Sequence, residues 1–152
     1  MPKGISPMEY SRRLMKAKTL IQPKITELIL QDKNQPLRNA KRNEFEFGLR
    51  PDYTKIGVYS NENYAHRKYL LNPLAGSGNV DLYLTGATDR SLFVRQGGAG
   101  FVFDAQTNQW GYNKTKYGND IQGLNQRKFI QIEIQNFLPK LLKYIKLNAK
   151  IA

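Results

Sequence analysis

Chemistry in this chain would have to run through very few side chains. It has one histidine, His66, and no cysteine. The missing cysteine removes disulfides, thiolate catalysis, cysteine-based zinc sites and iron–sulfur clusters together. A lone histidine excludes a multi-histidine metal centre, and any histidine-dependent triad would have to use it. It stands in Asn63-Tyr64-Ala65-His66-Arg67-Lys68-Tyr69, with no carboxylate at triad or metal-ligand spacing. His66 therefore reads as a surface or sheet-packing side chain whose cationic neighbours disfavour its charged form. Asp81, Asp89 and Asp104 fall on or beside expected strands and are the one carboxylate cluster the chain could assemble. Strand alternation turns Asp81 away from Val80, Leu82 and Leu84, which predicts an exposed or arginine-paired residue rather than a general acid. The glycines of Gly76-Ser77-Gly78 and Gly97-Gly98-Ala99-Gly100 lack the following Lys-Ser or Lys-Thr of a phosphate loop, and the second group leads into a strand. No catalytic residue, cofactor or metal ligand is assigned, and no enzyme is expected, because no nucleophile–base pair can be named.

What the composition does offer is charge. The 152 residues carry 24 Lys+Arg against 12 Asp+Glu, a net +12, with 40% hydrophobic residues. That length suits a single domain over residues 1–152. The charge predicts a polyanionic partner: nucleic acid, an acidic protein face or anionic lipid. No apolar run approaches a membrane span, and no export signal follows Met1, so a soluble protein is expected. The excess is uneven: residues 1–50 hold 11 basic and 5 acidic side chains, residues 51–100 hold 5 and 4, and residues 101–152 hold 8 and 3. Arg12, Arg13 and Lys16 near one end, and Lys140, Lys143 and Lys146 near the other, have helix-face spacing and are the candidate contacts for DNA or an acidic partner. Tyr64, Tyr69, Tyr112 and Tyr117 lie close to cations, a pattern that serves single-strand binding but also ordinary interfaces.

These residues need elements to hold them. Residues 1–7, with Pro2 and Pro7, read as an extended arm. Residues 8–31 read as helical, with Leu14, Ala17, Ile21, Ile25 and Leu28 as one apolar stripe, and Pro23 predicts a kink or a break into two helices. Residues 31–42 show no clear period and read as a short helix or a loop. Residues 53–105 read as β-rich, with strands at 55–59, 80–84, 91–95 and 100–104, the last two joined by a glycine hairpin. Residues 72–79 read as a loop. Asn125 is the expected N-cap of a C-terminal helix over 125–150, striped by Phe129, Ile132, Phe137, Leu141, Leu142 and Ile145 and kinked or restarted at Pro139. The fold class is α+β, a small antiparallel sheet packed by N- and C-terminal helices.

A series of short motifs runs in order from residue 40 to the end. It comprises Asn43-Glu-Phe-Glu-Phe-Gly48-Leu-Arg-Pro-Asp52-Tyr-Thr-Lys-Ile-Gly57-Val-Tyr59-Ser60, Tyr64-Ala65-x-x-Lys68 and Val80-Asp81-Leu82-x-Leu84-Thr85-Gly86. Leu92-Phe93-Val94 and Tyr117-Gly118-x-Asp120-Ile121-x-Gly123-Leu124-Asn125 follow, before the Pro139-centred helix. The series resembles the small tail-completion or neck proteins of tailed bacteriophages, virion proteins of the head–tail connector. In that group a Leu-x-Thr-Gly step before a short strand recurs, and here Thr85 and Gly86 would form that turn. The family's Asp-Gly near residue 53 is Asp52-Tyr53 here. The resemblance implies a non-enzymatic subunit of a homo-oligomeric ring, six- or twelve-fold, between portal or adaptor and tail proteins around the DNA channel, made in the host cytoplasm and placed in the virion neck or tail. The alternative is a small basic nucleic-acid-binding domain.

Overall fold

A computed structural model describes residues 5–31, 35–82, 87–98 and 100–150. The expected Thr85–Gly86 turn and the side chain of Asp89 lie outside the described residues. The chain is α+β and mostly helical, with a small two-stranded antiparallel sheet. It divides into two compact units, one from the chain ends (residues 1–34 and 130–152), the other from residues 35–129. No described helix is long and apolar enough to cross a membrane.

The terminal unit is a helix pair. α1, Pro7–Leu30, starts where Ser6 Oγ accepts the Glu9 N–H at 3.2 Å, with Pro7 in the first turn. Proline fits there because those N–H groups lack intrahelical acceptors, so Pro7 opens the helix rather than ending the arm. Pro23 removes the donor that would reach the Thr19 carbonyl, yet α1 continues as one element to Leu30. Only Ala17 and Leu28 of the expected stripe are buried, with Ile29 beside them, while Leu14 and Ile21 remain exposed. The other partner is α7, Leu138–Ala149, which buries Leu141 and Ala149 and packs on α1. Arg13 Nη1 donates to the Lys150 carbonyl at 2.7 Å, and Lys24 Nζ lies 4.7 Å from the Tyr144 ring centre, so the two helices run antiparallel. Before α7 the backbone widens into a π turn, Glu133–Phe137, in which the Leu138 N–H reaches Glu133 O. That turn accommodates Pro139, which has no N–H for an ordinary α bond.

The middle unit holds most of the core. α2, Gln35–Glu46, fills the stretch that shows no period in the sequence. Its buried residues Leu37, Lys41, Glu44 and Phe45 do follow helical spacing, but two of them are charged. α3, Glu62–Leu71, is capped by Asn61, whose Oδ1 accepts the Tyr64 N–H at 2.9 Å. α4, Ala87–Ser91, leads into β1, Leu92–Gln96, which pairs antiparallel with β2, Phe101–Ala105, from Leu92↔Ala105 to Gln96↔Phe101. This is the expected hairpin. Gly97 and Gly98 do not have left-handed φ values; a Cβ at Gly97 would come 3.0 Å from Val102 Cγ1, so there glycine provides space.

Among the described residues, the rest of the β-rich middle is not β. Over the described residues 55–59 and 80–82, the expected strands reduce to the single bridges Leu49↔Lys55 and Val58↔Asn79, with α3 between them; Tyr83 and Leu84 are outside the described residues. The reason is local. Val80 O lies against Gly48, where a Cβ would sit 2.3 Å from it at φ +64°, and the Val80 N–H goes to Gly57 O at 2.9 Å. Irregular backbone thus takes the hydrogen bonds a ladder would use. Elements packed on the hairpin are α2, α4 and the turn at residues 119–122, whereas the two terminal helices pair with each other.

α5, Asn108–Tyr117, is capped by Thr107, buries Trp110 5.6 Å from the Phe45 ring, and ends at Gly118 with φ +94°. α6, Gln126–Ile132, starts as expected at Asn125, whose Oδ1 accepts the N–H groups of Arg127 and Lys128 at 3.0 and 3.2 Å. The C-terminal helix of 125–150 is therefore α6, a π turn and α7 in succession.

Candidate anion-binding surfaces

The shorter terminal unit carries the larger share of the net charge. The terminal unit has 11 basic and 4 acidic residues, and residues 35–129 have 13 and 8. On α7, Lys140, Lys143 and Lys146 follow one another at three-residue steps, and all three are exposed. No ion pair engages any of them among the described residues. Lysine stems can lie along a helix while the ammonium groups stay hydrated, which leaves a row of mobile point charges.

Arg12, Arg13 and Lys16 come together elsewhere in that unit. With Glu9, Ala149 and Lys150 they line a depression of about 430 Å³. Glu9 accepts Arg12 Nη2 at 2.6 Å and Arg13 Nε at 2.8 Å. The bond from Arg13, against a smaller opposing effect of desolvation, holds the Glu9 carboxyl below its ordinary pKa. Arg13 is thus committed to Glu9 and to the Lys150 carbonyl. Arg12, 78% exposed, and the exposed Lys16 keep donors for an outside anion. Four cations against one carboxylate make the depression attractive to phosphate or carboxylate. Lys140, Lys143 and Lys146 do not line it, so the six predicted residues form two features, a depression and a stripe.

In the middle unit Glu44, Asp81, Asp104 and Asp120 are each paired with a cation. Asp81 corrects the expectation of an exposed or arginine-paired residue. It is buried and ion-paired with Lys68 Nζ at 2.5 Å, and its other oxygen accepts a hydrogen bond from Asn72 Nδ2 at 2.9 Å. Tyr59 spans the same site, donating its hydroxyl to Asp81 O at 3.2 Å, and burial pushes that phenol above its ordinary pKa. Asp104 accepts Arg95 Nε at 2.6 Å and Trp110 Nε1 at 2.7 Å, with Lys114 Nζ at 3.6 Å. Burial works against that carboxylate, but these partners outweigh it and hold the pKa below its ordinary value. Asp81 and Asp104 are therefore separately neutralised and do not join as a catalytic pair. His66 is exposed on α3. Among the described residues no three of His, Cys, Asp and Glu gather to hold a metal ion.

Two features escape sequence reasoning. Lys41 and Glu44 are fully buried and bonded at 2.9 Å; their only outward signal is an i,i+3 spacing common on solvated helices. Lys68 and Asp81 are thirteen residues apart, with no local signal at all. The tyrosines gather as well. Lys116 Nζ stands 5.5 Å from the Tyr112 ring centre and 5.3 Å from that of Tyr117, while Tyr59 and Tyr64 meet edge to face at 5.0 Å. No protein-family model matches the chain, and neither a curated protein nor a solved structure matches it.

Proposed function

We propose that this protein is a non-enzymatic structural protein that grips a polyanion, DNA first, with its terminal helix pair. Its setting, on the order of the motifs from residue 43 to Asn125, is the head–tail connector or neck of a tailed-phage virion. There it is a ring-forming subunit, completing the tail around the DNA channel and seated between portal or adaptor and tail proteins. The observation that carries the reading is the exposed Lys140–Lys143–Lys146 row, unmatched by acid among the described residues. A row at helical spacing suits the regular charge of a duplex, for which each neutralised phosphate releases counterions. Negative-stain images and sedimentation of the purified protein, alone and mixed with portal or tail proteins, test the ring. Closed particles of uniform size are expected, and strictly monomeric protein in every mixture overturns the connector reading. A second reading, a stand-alone nucleic-acid-binding domain, is favoured by the tyrosine–lysine cluster of the middle unit. It predicts DNA binding without assembly.

A further inference from the structure

The middle unit carries an aromatic surface that backbone gripping does not explain. Tyr112 and Lys116 lie one turn apart on α5, with Tyr117 next in sequence at the helix end. Lys116 is exposed, and its ammonium lies near both rings; the neighbouring phenols raise its pKa above the ordinary lysine value. Across from α5, Tyr64 in the first turn of α3 packs its ring on Tyr59. The Tyr117 phenol lies close enough to act on the titration of both Tyr59 and Tyr64. Three segments therefore converge in one patch, whose outward members are Tyr64, 40% exposed, Tyr112, 54% exposed, and Lys116.

Burial does not account for these two tyrosines. Each keeps a large part of its ring in water, although Tyr59 in the same cluster is half-buried and hydrogen-bonded. Of the nearby acids, Asp81 is paired with Lys68 and Asp104 with Arg95 and Lys114, while Glu62, also in the first turn of α3, is the exposed carboxylate beside Tyr64. What is left is flat aromatic surface with an ammonium beside it. A duplex buries its base faces in its own stack and offers little to such a surface. A single strand presents unstacked base faces along a phosphate chain, which matches rings beside an ammonium.

We propose that Tyr64, Tyr112 and Lys116 form a stacking site for unpaired bases of single-stranded nucleic acid, distinct from the duplex-gripping lysines of α7. The tyrosines receive base faces and Lys116 meets the adjoining phosphate. The site does not depend on the connector reading, and its test separates the two.

Binding of a fluorescein-labelled oligo-dT strand and of a duplex of equal length, followed by anisotropy, is the measurement. Tyr112→Ala and Tyr64→Ala are each expected to weaken oligo-dT binding by about tenfold, as loss of one stacked base does, while leaving duplex affinity within about twofold. Tyr112→Phe keeps the ring and should keep the affinity, which separates stacking from any role of the hydroxyl. Lys140→Gln, Lys143→Gln and Lys146→Gln together are expected to weaken the duplex while leaving the effect of Tyr112→Ala on oligo-dT in place. Trp110 emission, from a buried indole, verifies the fold of each variant, and Tyr64→Ala decides the matter if Tyr112→Ala unfolds. The proposal is overturned by wild-type protein that does not bind oligo-dT at low salt, by tyrosine variants that weaken strand and duplex equally, by Tyr112→Phe behaving like Tyr112→Ala, or by oligo-glutamate competing as well as oligo-dT.

Discussion

Lys41 and Glu44 give the sharpest energetic prediction. Both side chains are 0% exposed and bonded at 2.9 Å, and the second carboxylate oxygen of Glu44 accepts the Asn125 N–H at 3.0 Å. Glu44→Gln keeps that last bond but leaves an ammonium buried beside a neutral amide, and Lys41→Met leaves the carboxylate without its cation. Removing one member of a buried pair costs about 3–5 kcal/mol, since the remaining charge keeps its desolvation penalty. That is a large share of the roughly 5–15 kcal/mol that stabilises a typical domain. Lys41→Met with Glu44→Gln removes both charges, fills the space with apolar carbon and keeps an acceptor for Asn125, so most of the loss should return. Urea unfolding followed by Trp110, whose ring packs on Phe45 of the same helix as the pair, reads the effect. Each single variant should lower the midpoint by about 2 M, and the double should lie within about 0.5 M of wild type. Burial, opposed by Glu44, lowers the Lys41 pKa below 10.5. Between the folded value and 10.5 the unfolded chain binds more protons, so this site makes stability rise with pH there, and Lys41→Met abolishes that rise. Single variants near wild type, or a double whose loss equals the sum of the singles, would refute the reasoning.

Other positions are equally open to measurement. Gly48→Ala places a Cβ 2.3 Å from Val80 O at φ +64°; thermal unfolding should show a loss above about 2 kcal/mol, from left-handed strain plus a forced backbone shift. Asn125→Ala removes the side-chain oxygen that caps α6 and the 2.7 Å bond to Pro51 O; a loss of about 1–2 kcal/mol in urea unfolding is expected. Asp104 has a folded pKa below 3.8, so its contribution is complete above 3.8 and disappears as pH falls through the folded value. Asp104→Asn should flatten the wild-type acid-unfolding curve over that window.

How much of this could be read from sequence depended on whether the burying forces were local. The hairpin was legible because apolar, β-branched runs flank a glycine pair, and Asn125 because a cap acts on residues two and three places on. The α7 lysines were legible because an exposed row keeps its spacing. The buried face of α2 was hidden because Lys41 and Glu44 occupy two of its places, and only their mutual bond makes that burial tolerable. Asp81 misled in the same way. Val80-Asp81-Leu82 has strand alternation, but its charge points to Lys68 on α3, a partner that only the tertiary fold supplies. Tyr53 adopts φ +67° where glycine would be expected, with Asp52 Oδ1 accepting both the Thr54 N–H and its hydroxyl. The local Asx turn compensates for the strained residue. The two-unit division was invisible because the pairing of α1 with α7 joins the two ends of the chain.

The central claim, that the terminal helix pair grips DNA through its exposed lysines, is tested most directly by the salt dependence of duplex binding. The slope of log affinity against log salt should fall in magnitude by about 0.9 for each phosphate no longer neutralised, so Lys140→Gln, Lys143→Gln and Lys146→Gln together should reduce it by about 2.7 if all three engage. A triple variant with the wild-type slope and affinity would contradict the account.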